Sequence, residues 1–369
     1  MSQYQKYDYA TKFKKIPILL LLTVISINCI GFVILWSAAD GNLYPWAYKQ
    51  IIHFAIFFPI SILIAITDIR FFYNISYLLY FIILILLITV EVAGVTAMGG
   101  KRWIDIGFVR LQPSELAKIA LILMMAKYFH KLKATEINKI PRIMLVSIMI
   151  MLPVALIIKQ PDLGTGLLSL FAAGIVFFNA GIYKKYFVFA GAFTLLSFPI
   201  AWHFMYEYQR QRLLIFLDPQ RDPLGSGYNI IQSKIAIGSG GLFGKGLLFG
   251  TQSHLDFLPE HQTDFIFASM AEELGFIGGV VLLILYSLLI IISLAISYNC
   301  RTMFGKLMVT GITAIFFSHV FINIAMVMGL VPAVGVPLPF ISYGGAIMAS
   351  MLIGFGLIMN AHIHQYSNI

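Results

Sequence analysis

The stretch GTQSHLDFLPEHQTDFIFASMAEELGFIGG, Gly250 to Gly279, sets five carboxylates beside or within a run of Phe, Ile, Leu and Met: Asp256, Glu260, Asp264, Glu272 and Glu273. An ionised carboxylate in apolar surroundings is costly unless it is paired or its pKa rises. A carboxyl with a raised pKa is suited to general-base work near neutral pH. Thr263 and Asp264 directly precede a long apolar segment, so the plainer alternative for Asp264 is a helix N-cap worth about 1 kcal/mol. A cap, however, needs one carboxylate, not five. On a helix Glu272 projects within about a quarter turn of Asp264, while Glu273 points elsewhere.

Two further stretches carry chemistry. In GGKRWIDIGFVRLQPSELAKIALILMMAKY, Gly99 to Tyr128, Pro113-Ser114-Glu115 reads as a helix start. Glu115 and Lys118 then stand at i, i+3 and can pair, and Lys118 lies deep enough to need a polar partner or cavity. Trp103, between Arg102 and Asp105, is either an interfacial anchor or a stacking face for a sugar ring. In YQRQRLLIFLDPQRDPLGSGYNIIQSKIAIGSGG, Tyr208 to Gly241, the cations Arg210, Arg212 and Lys234 suit a diphosphate or lipid headgroup. Contact with anionic lipid is the simpler use for them. Asp162, in KQPDLGTG, reads as the cap of the helix that follows, and His319 and Asn323, at i, i+4, as interhelical hydrogen-bonding residues rather than ligands. VPLPFISYGG, Val336 to Gly345, is a tight turn. No His/Cys/Asp cluster has metal-ligand spacing, and Cys29 and Cys300 read as isolated thiols.

The elements that must position these groups are membrane helices. Of 369 residues 60% are hydrophobic and 11% charged, with a mean hydropathy of +0.89. Soluble domains run to about 45–50% apolar and 25% charged. Apolar runs long enough to cross a bilayer predict ten spans: 16–36, 47–67, 72–92, 114–130, 142–159, 163–180, 185–204, 265–297, 305–331 and 341–363. The expected fold is thus an all-α integral membrane protein, one polytopic domain over 1–369. A long outer-face loop, about 205–264, joins the seventh and eighth helices, and 93–113 forms a second outer loop. Lys and Arg of the short loops put both termini on the cytoplasmic side. Almost all acidic residues then fall on or near the outer face. The net charge of +9 is scattered between helices, which argues against nucleic acid as a partner. The Gly-rich AIGSGGLFGKGLLFG, Ala236 to Gly250, is expected to dip into the interface or re-enter the membrane.

GGKRWIDIGFVRLQPSELAKIA, QPDLGTG, RLLIFLDPQRDPLGSGYNIIQSKIAIGSGGLFGKGLLFGTQSHLDFLPE, TDFIFASMAEELGFIGG and GVPLPFISYGG together resemble the SEDS family (shape, elongation, division and sporulation). The GTQSHLDFLPE version resembles its RodA branch rather than its FtsW branch. The resemblance implies a ten-helix peptidoglycan glycosyltransferase in the bacterial cytoplasmic (inner) membrane, polymerising lipid II at the outer face for elongation and rod shape. It implies as partners a lipid-linked glycan strand, a class B penicillin-binding protein and other elongation-complex membrane proteins. It places the family's essential aspartate on Asp264, its tryptophan on Trp103 and its cavity pair on Glu115 and Lys118. Glu260, Glu272, Arg210, Arg212 and Lys234 complete the expected substrate-binding set. His261 stands one residue further from Thr263-Asp264 than the family's usual histidine. A divalent cation, Mg2+ or Mn2+, is compatible with a diphosphate leaving group, although the sequence shows no metal site. The rival classes are a flippase for lipid-linked precursors and a non-catalytic scaffold. A flippase is expected to carry charge through the midplane and inner half, whereas charge here gathers near one face.

Overall fold

The computed structural model describes residues 9–97, 100–105, 110–222, 225–254, 257–258 and 260–367. Asp256 lies outside the described residues. The principal helices are α1 (Ile18–Ser37), α2 (Trp46–Ile66), α3 (Ile69–Ala93), α4 (Pro113–His130), α5 (Ile140–Lys159), α6 (Leu163–Ala180), α7 (Lys184–Phe204), α8 (Glu207–Leu217), α9 (Ser226–Ser239), α10 (Ile266–Asn299), α11 (Met303–Val327) and α12 (Gly345–Ile363). Each of the ten apolar segments coincides with one of these helices. Eight of them, α1, α2, α3, α5, α6, α10, α11 and α12, are long and apolar enough to cross a membrane.

The other two, α4 and α7, differ for opposite reasons. Glu115, Lys118 and Lys127 lie within α4, and charge at membrane depth must be enclosed by protein. Accordingly, α4 is buried along nearly its whole length, against α3, α6 and α11. By contrast, none of the described side chains of α7 is buried; Leu195 and Leu196 are 78% and 79% exposed. The most enclosed apolar helices are α11 and α12, joined to α10 by an aromatic cluster of Tyr286, Phe316, Phe340 and Phe355.

The two long loops carry structure of their own. The 93–113 loop makes the chain not strictly all-α, because β1 (Val95–Ala97), β2 (Gly100–Asp105) and β3 (Arg110–Leu111) form a small antiparallel sheet with β2 in the middle. The 205–264 loop is itself partly helical, since α8 and α9 lie within it. Its sequence hid α8 because Arg, Gln and Leu alternate there without a clean apolar stripe.

Candidate active site

Asp264 sits in a turn just before α10. Glu260 begins the turn in the left-handed region (φ 57), and its carbonyl accepts from the Thr263 and Phe265 amides at 3.0 and 3.4 Å. The carbonyls of residues 262–264 are each fastened. Tyr343 N donates to Gln262 O (2.9 Å), Ser342 Oγ to Thr263 O (2.6 Å), and Asn323 Nδ2 to Asp264 O (2.8 Å). Asn323 Nδ2 also donates to Val336 O at 2.7 Å, so α11 clamps the turn and the 336–344 loop together. That loop is itself braced by Gln50 Nε2 on Ser342 O and by the Tyr286 hydroxyl on Pro339 O. Turns normally move more than the elements they join; this one is held at successive peptide units.

The carboxylate is treated differently from its backbone. The cap of α10 is Phe265, with no side-chain bond, so the N-cap use of Asp264 is not seen. Among the described residues no hydrogen bond or ion pair reaches the Asp264 carboxylate. Burial and the charge of Glu260 push its pKa up to about 6, against opposing pulls from Arg212 and Arg102. Desolvation therefore outweighs two nearby guanidinium groups. Gly335, at φ 67, borders the carboxylate: a Cβ there would lie 3.5 Å from Asp264 Oδ2. Glu260 is exposed and accepts from Thr263 Oγ1 at 2.9 Å.

The two guanidinium groups arrive from different loops. Arg212 projects from α8 over the Tyr208 ring, 6.0 Å from its centroid. Burial lowers its pKa, with the charge of Arg102 adding to that effect and Tyr208, Asp264 and Asp162 opposing it. An Arg remains protonated through such a shift. Arg102, on β2, donates from Nε to Gln160 O (3.3 Å) and from Nη2 to Pro161 O. Its side chain folds back across Gly100, where a Cβ would stand 2.6 Å from Arg102 Nε. Asp162 caps α6 as expected, through Thr165 N, and accepts from Ser114 Oγ at the start of α4. In the sequence Arg102 stands out only as the neighbour of Trp103. Its three-dimensional partner, the Gln160–Pro161 turn, gives no sequence signal.

The remaining candidates divide. Arg210 donates to the Trp202 and His203 carbonyls at 2.9 and 2.7 Å and so closes the end of α7. Lys234 is exposed on α9 and lies against Gly329 beyond α11. Neither contributes to the field at Asp264 as Arg212 does. Trp103 is half-buried on β2, paired in register with Val95. Glu272 is fully buried. It accepts from Lys245 Nζ (2.6 Å), Thr251 N (3.0 Å), Thr251 Oγ1 (2.9 Å) and Gln252 N (3.1 Å). Its lone pairs are occupied by the 245–252 loop.

Glu115 and Lys118 form a buried brace from α4 to α11 and α12. Lys118 is 1% and Glu115 4% exposed, and they pair at 2.8 Å. Ser350 Oγ donates to the second Glu115 oxygen (2.8 Å), and Lys118 Nζ meets His319 Nε2 at 2.6 Å. His319 Nδ1 in turn approaches Pro337 O at 3.3 Å. The pair lines a small cavity with Ile119, Ile312, Ile315, Ser350, Met351 and Gly354, which Asp264 does not border. Thus His319 and Asn323 are not bonded to one another: one links the Lys118 brace to the 336–344 loop, the other links that loop to Asp264. No group of three His, Cys, Asp or Glu among the described residues could hold a metal ion.

Residues 16–367 match the FTSW_RODA_SPOVE family, described as cell cycle protein. The chain is 44% identical to the peptidoglycan glycosyltransferase MrdB of Escherichia coli (strain K12) over 347 residues, 94% of this chain and 93% of the relative. Its fold is similar to a chain in a solved peptidoglycan synthase complex described as coordinating polymerization and crosslinking. There the TM-score is 0.83 at 31% identity, covering 99% of this chain and 100% of that one. It is similar also to the rod shape determining protein RodA of Thermus thermophilus, with a TM-score of 0.72 at 28% identity and 99% of each chain covered.

Proposed function

The chain belongs to the FTSW_RODA_SPOVE family, and from that premise we propose that it is a peptidoglycan glycosyltransferase polymerising lipid II, with Asp264 as general base. The observation that carries the reading is the contrast within one turn: the backbone carbonyls of residues 262–264 are fastened, while the half-buried Asp264 carboxylate is left unpaired with a pKa of about 6. At pH 7 such a group is about nine-tenths ionised, yet it is a stronger base than an exposed Asp.

In the proposed step the 4-hydroxyl of lipid II's terminal GlcNAc attacks the anomeric carbon of a lipid-linked glycan strand. Asp264 accepts the hydroxyl proton as the new C–O bond forms. The bond to the diphosphate breaks with inversion, and its electron pair leaves with undecaprenyl diphosphate. Arg212, with Arg102 behind it, offsets charge gathering on the leaving group. Glu260 shares the turn and raises the basicity of Asp264. Glu115, Lys118, His319 and Asn323 hold the turn rather than touch substrate, and Trp103 is a face on which a sugar ring can stack. If Mg2+ or Mn2+ accompanies the diphosphate, Asp264 and Glu260 are the carboxylates of this turn that could meet it.

The same reading makes the protein a ten-span single domain in the bacterial inner membrane with cytoplasmic termini. Here α4 is the enclosed span and α7 the lipid-exposed one. The likeness to a chain in a peptidoglycan synthase complex supports a class B penicillin-binding protein as partner, within a larger elongation assembly. Purified protein given labelled lipid II tests the activity. Glycan chains made by the parent but not by Asp264→Asn are expected. Equal synthesis by both removes Asp264 from the chemistry. Transbilayer movement of lipid II without polymer would mark a flippase, and neither activity a scaffold.

A further inference from the structure

A membrane helix can break only if something else satisfies the backbone groups that the break releases. Gly275 breaks α10 (φ 67, ψ −165), and the Gly-rich loop supplies the missing partners. Lys245 N and Gly246 N donate to the Glu272 and Glu273 carbonyls, each at 3.0 Å. In the other direction Phe276 N and Ile277 N donate to the Gly241 and Leu242 carbonyls at 2.9 and 3.1 Å. Leu248 N donates to Ser37 Oγ, which donates to Glu273 Oε1. The fit is close: a Cβ on Gly244 would lie 2.0 Å from Glu273 O, and one on Gly275 2.2 Å from Gly244 N. The loop is therefore fixed at the height of the break.

That height can be placed. From Phe276 to Asn299 the helix is about 36 Å long at 1.5 Å per residue, against a hydrocarbon core of about 30 Å. The break thus lies at the hydrocarbon boundary nearer Asp264. The loop turns its polar atoms to Glu272 and Glu273 and its apolar side chains outward. Phe243 is 79% and Phe249 71% exposed, continuous with Phe276, 65% exposed, on the spanning face of α10.

We propose that the loop from Gly240 to Gly250 is a wedge seated among lipid acyl chains, with Phe243 and Phe249 as its lipid contacts. It fixes the height of the Asp264 turn against the membrane surface. The occupant of this apolar face is lipid rather than protein because the face continues the lipid-facing side of a spanning helix. Nitroxides on Phe243→Cys and Phe249→Cys, in a Cys29→Ser, Cys300→Ser background, test this in nanodiscs. Phe276→Cys is the lipid reference and Gln220→Cys the aqueous one. Collisions with oxygen should match those at Phe276→Cys, and collisions with a water-soluble nickel chelate should fall well below those at Gln220→Cys. Dominant nickel collisions would place the loop in water; low collisions with both probes would mean that protein covers it. Either result overturns the proposal. Leu242→Cys gives the same reading should a phenylalanine variant fail to fold, and no arm depends on catalysis.

Discussion

Asp264 and Glu272 flank the same short helical stretch, and the fold uses them in opposite ways. Glu272 is enclosed by an ammonium, a hydroxyl and two amides. Asp264 has a fastened backbone and an unpartnered carboxylate. A buried acceptor that is fully satisfied stabilises a fold, and one left unsatisfied costs stability. Asp264 is half-buried rather than enclosed, and its unpartnered carboxylate is the one free to take a proton. Sequence spacing alone had placed the two on similar faces with similar claims.

The largest effect expected from separating these roles is on rate. Asp264→Asn should lower polymerisation about 10²–10⁴-fold, the usual loss of a general base. It should not lower thermal stability. The pKa of Asp264 is raised in the folded state, from 3.8 to about 6. The native state therefore binds the proton more tightly than the unfolded one, and stability falls as pH rises through that window. At neutral pH the amide removes this cost, so a melting point at or above the parent's is expected by thermal-shift measurement. A clear drop would break the contrast.

Glu272→Ala should behave in the reverse manner. It strands Lys245 and three further donors, and losing one partner of a buried pair costs about 3–5 kcal/mol, with the lower end expected because Lys245 is partly exposed. The melting point should fall by several degrees, while the rate per folded molecule stays within a few-fold of the parent. A folded, inactive Glu272→Ala would return Glu272 to the substrate contacts.

Among the cations, Arg212→Gln should reduce kcat/KM about tenfold, the order expected for one charge-assisted contact to the leaving group. Lys234→Ala should change it least, since Lys234 is exposed and absent from the field at Asp264. Equal losses in the two variants would mean that the diphosphate spans a wider surface than the Arg212–Arg102 side of the site.

Much of this was legible in the sequence. Apolar run length found the eight helices long and apolar enough to cross a membrane, with α4 and α7 besides, and the acid-rich stretch around TDFIF marked Asp264 before any contact was known. What stayed hidden depends on contacts between distant segments. The i, i+3 spacing offered Glu115 as a partner for Lys118, but only packing brings His319 to Lys118 and Ser350 to Glu115. Arg210, Arg212 and Lys234 look alike as cations in one loop. The formation of α8 directs Arg210 to the end of α7 and leaves Arg212 facing Asp264. Asn323 gave only a polar residue in a span, because the carbonyls it holds are brought together by the folded 336–344 loop.

The central claim, that a desolvated Asp264 is the base, is tested most directly by the pH dependence of kcat/KM for lipid II polymerisation by the purified protein. The account predicts an acidic limb with its midpoint near pH 6, where the carboxyl loses its proton. In Arg212→Gln the limb should move to higher pH, because the Arg212 charge holds the Asp264 pKa down. A limb near pH 4 in the parent, or one that Arg212→Gln leaves in place, would contradict it.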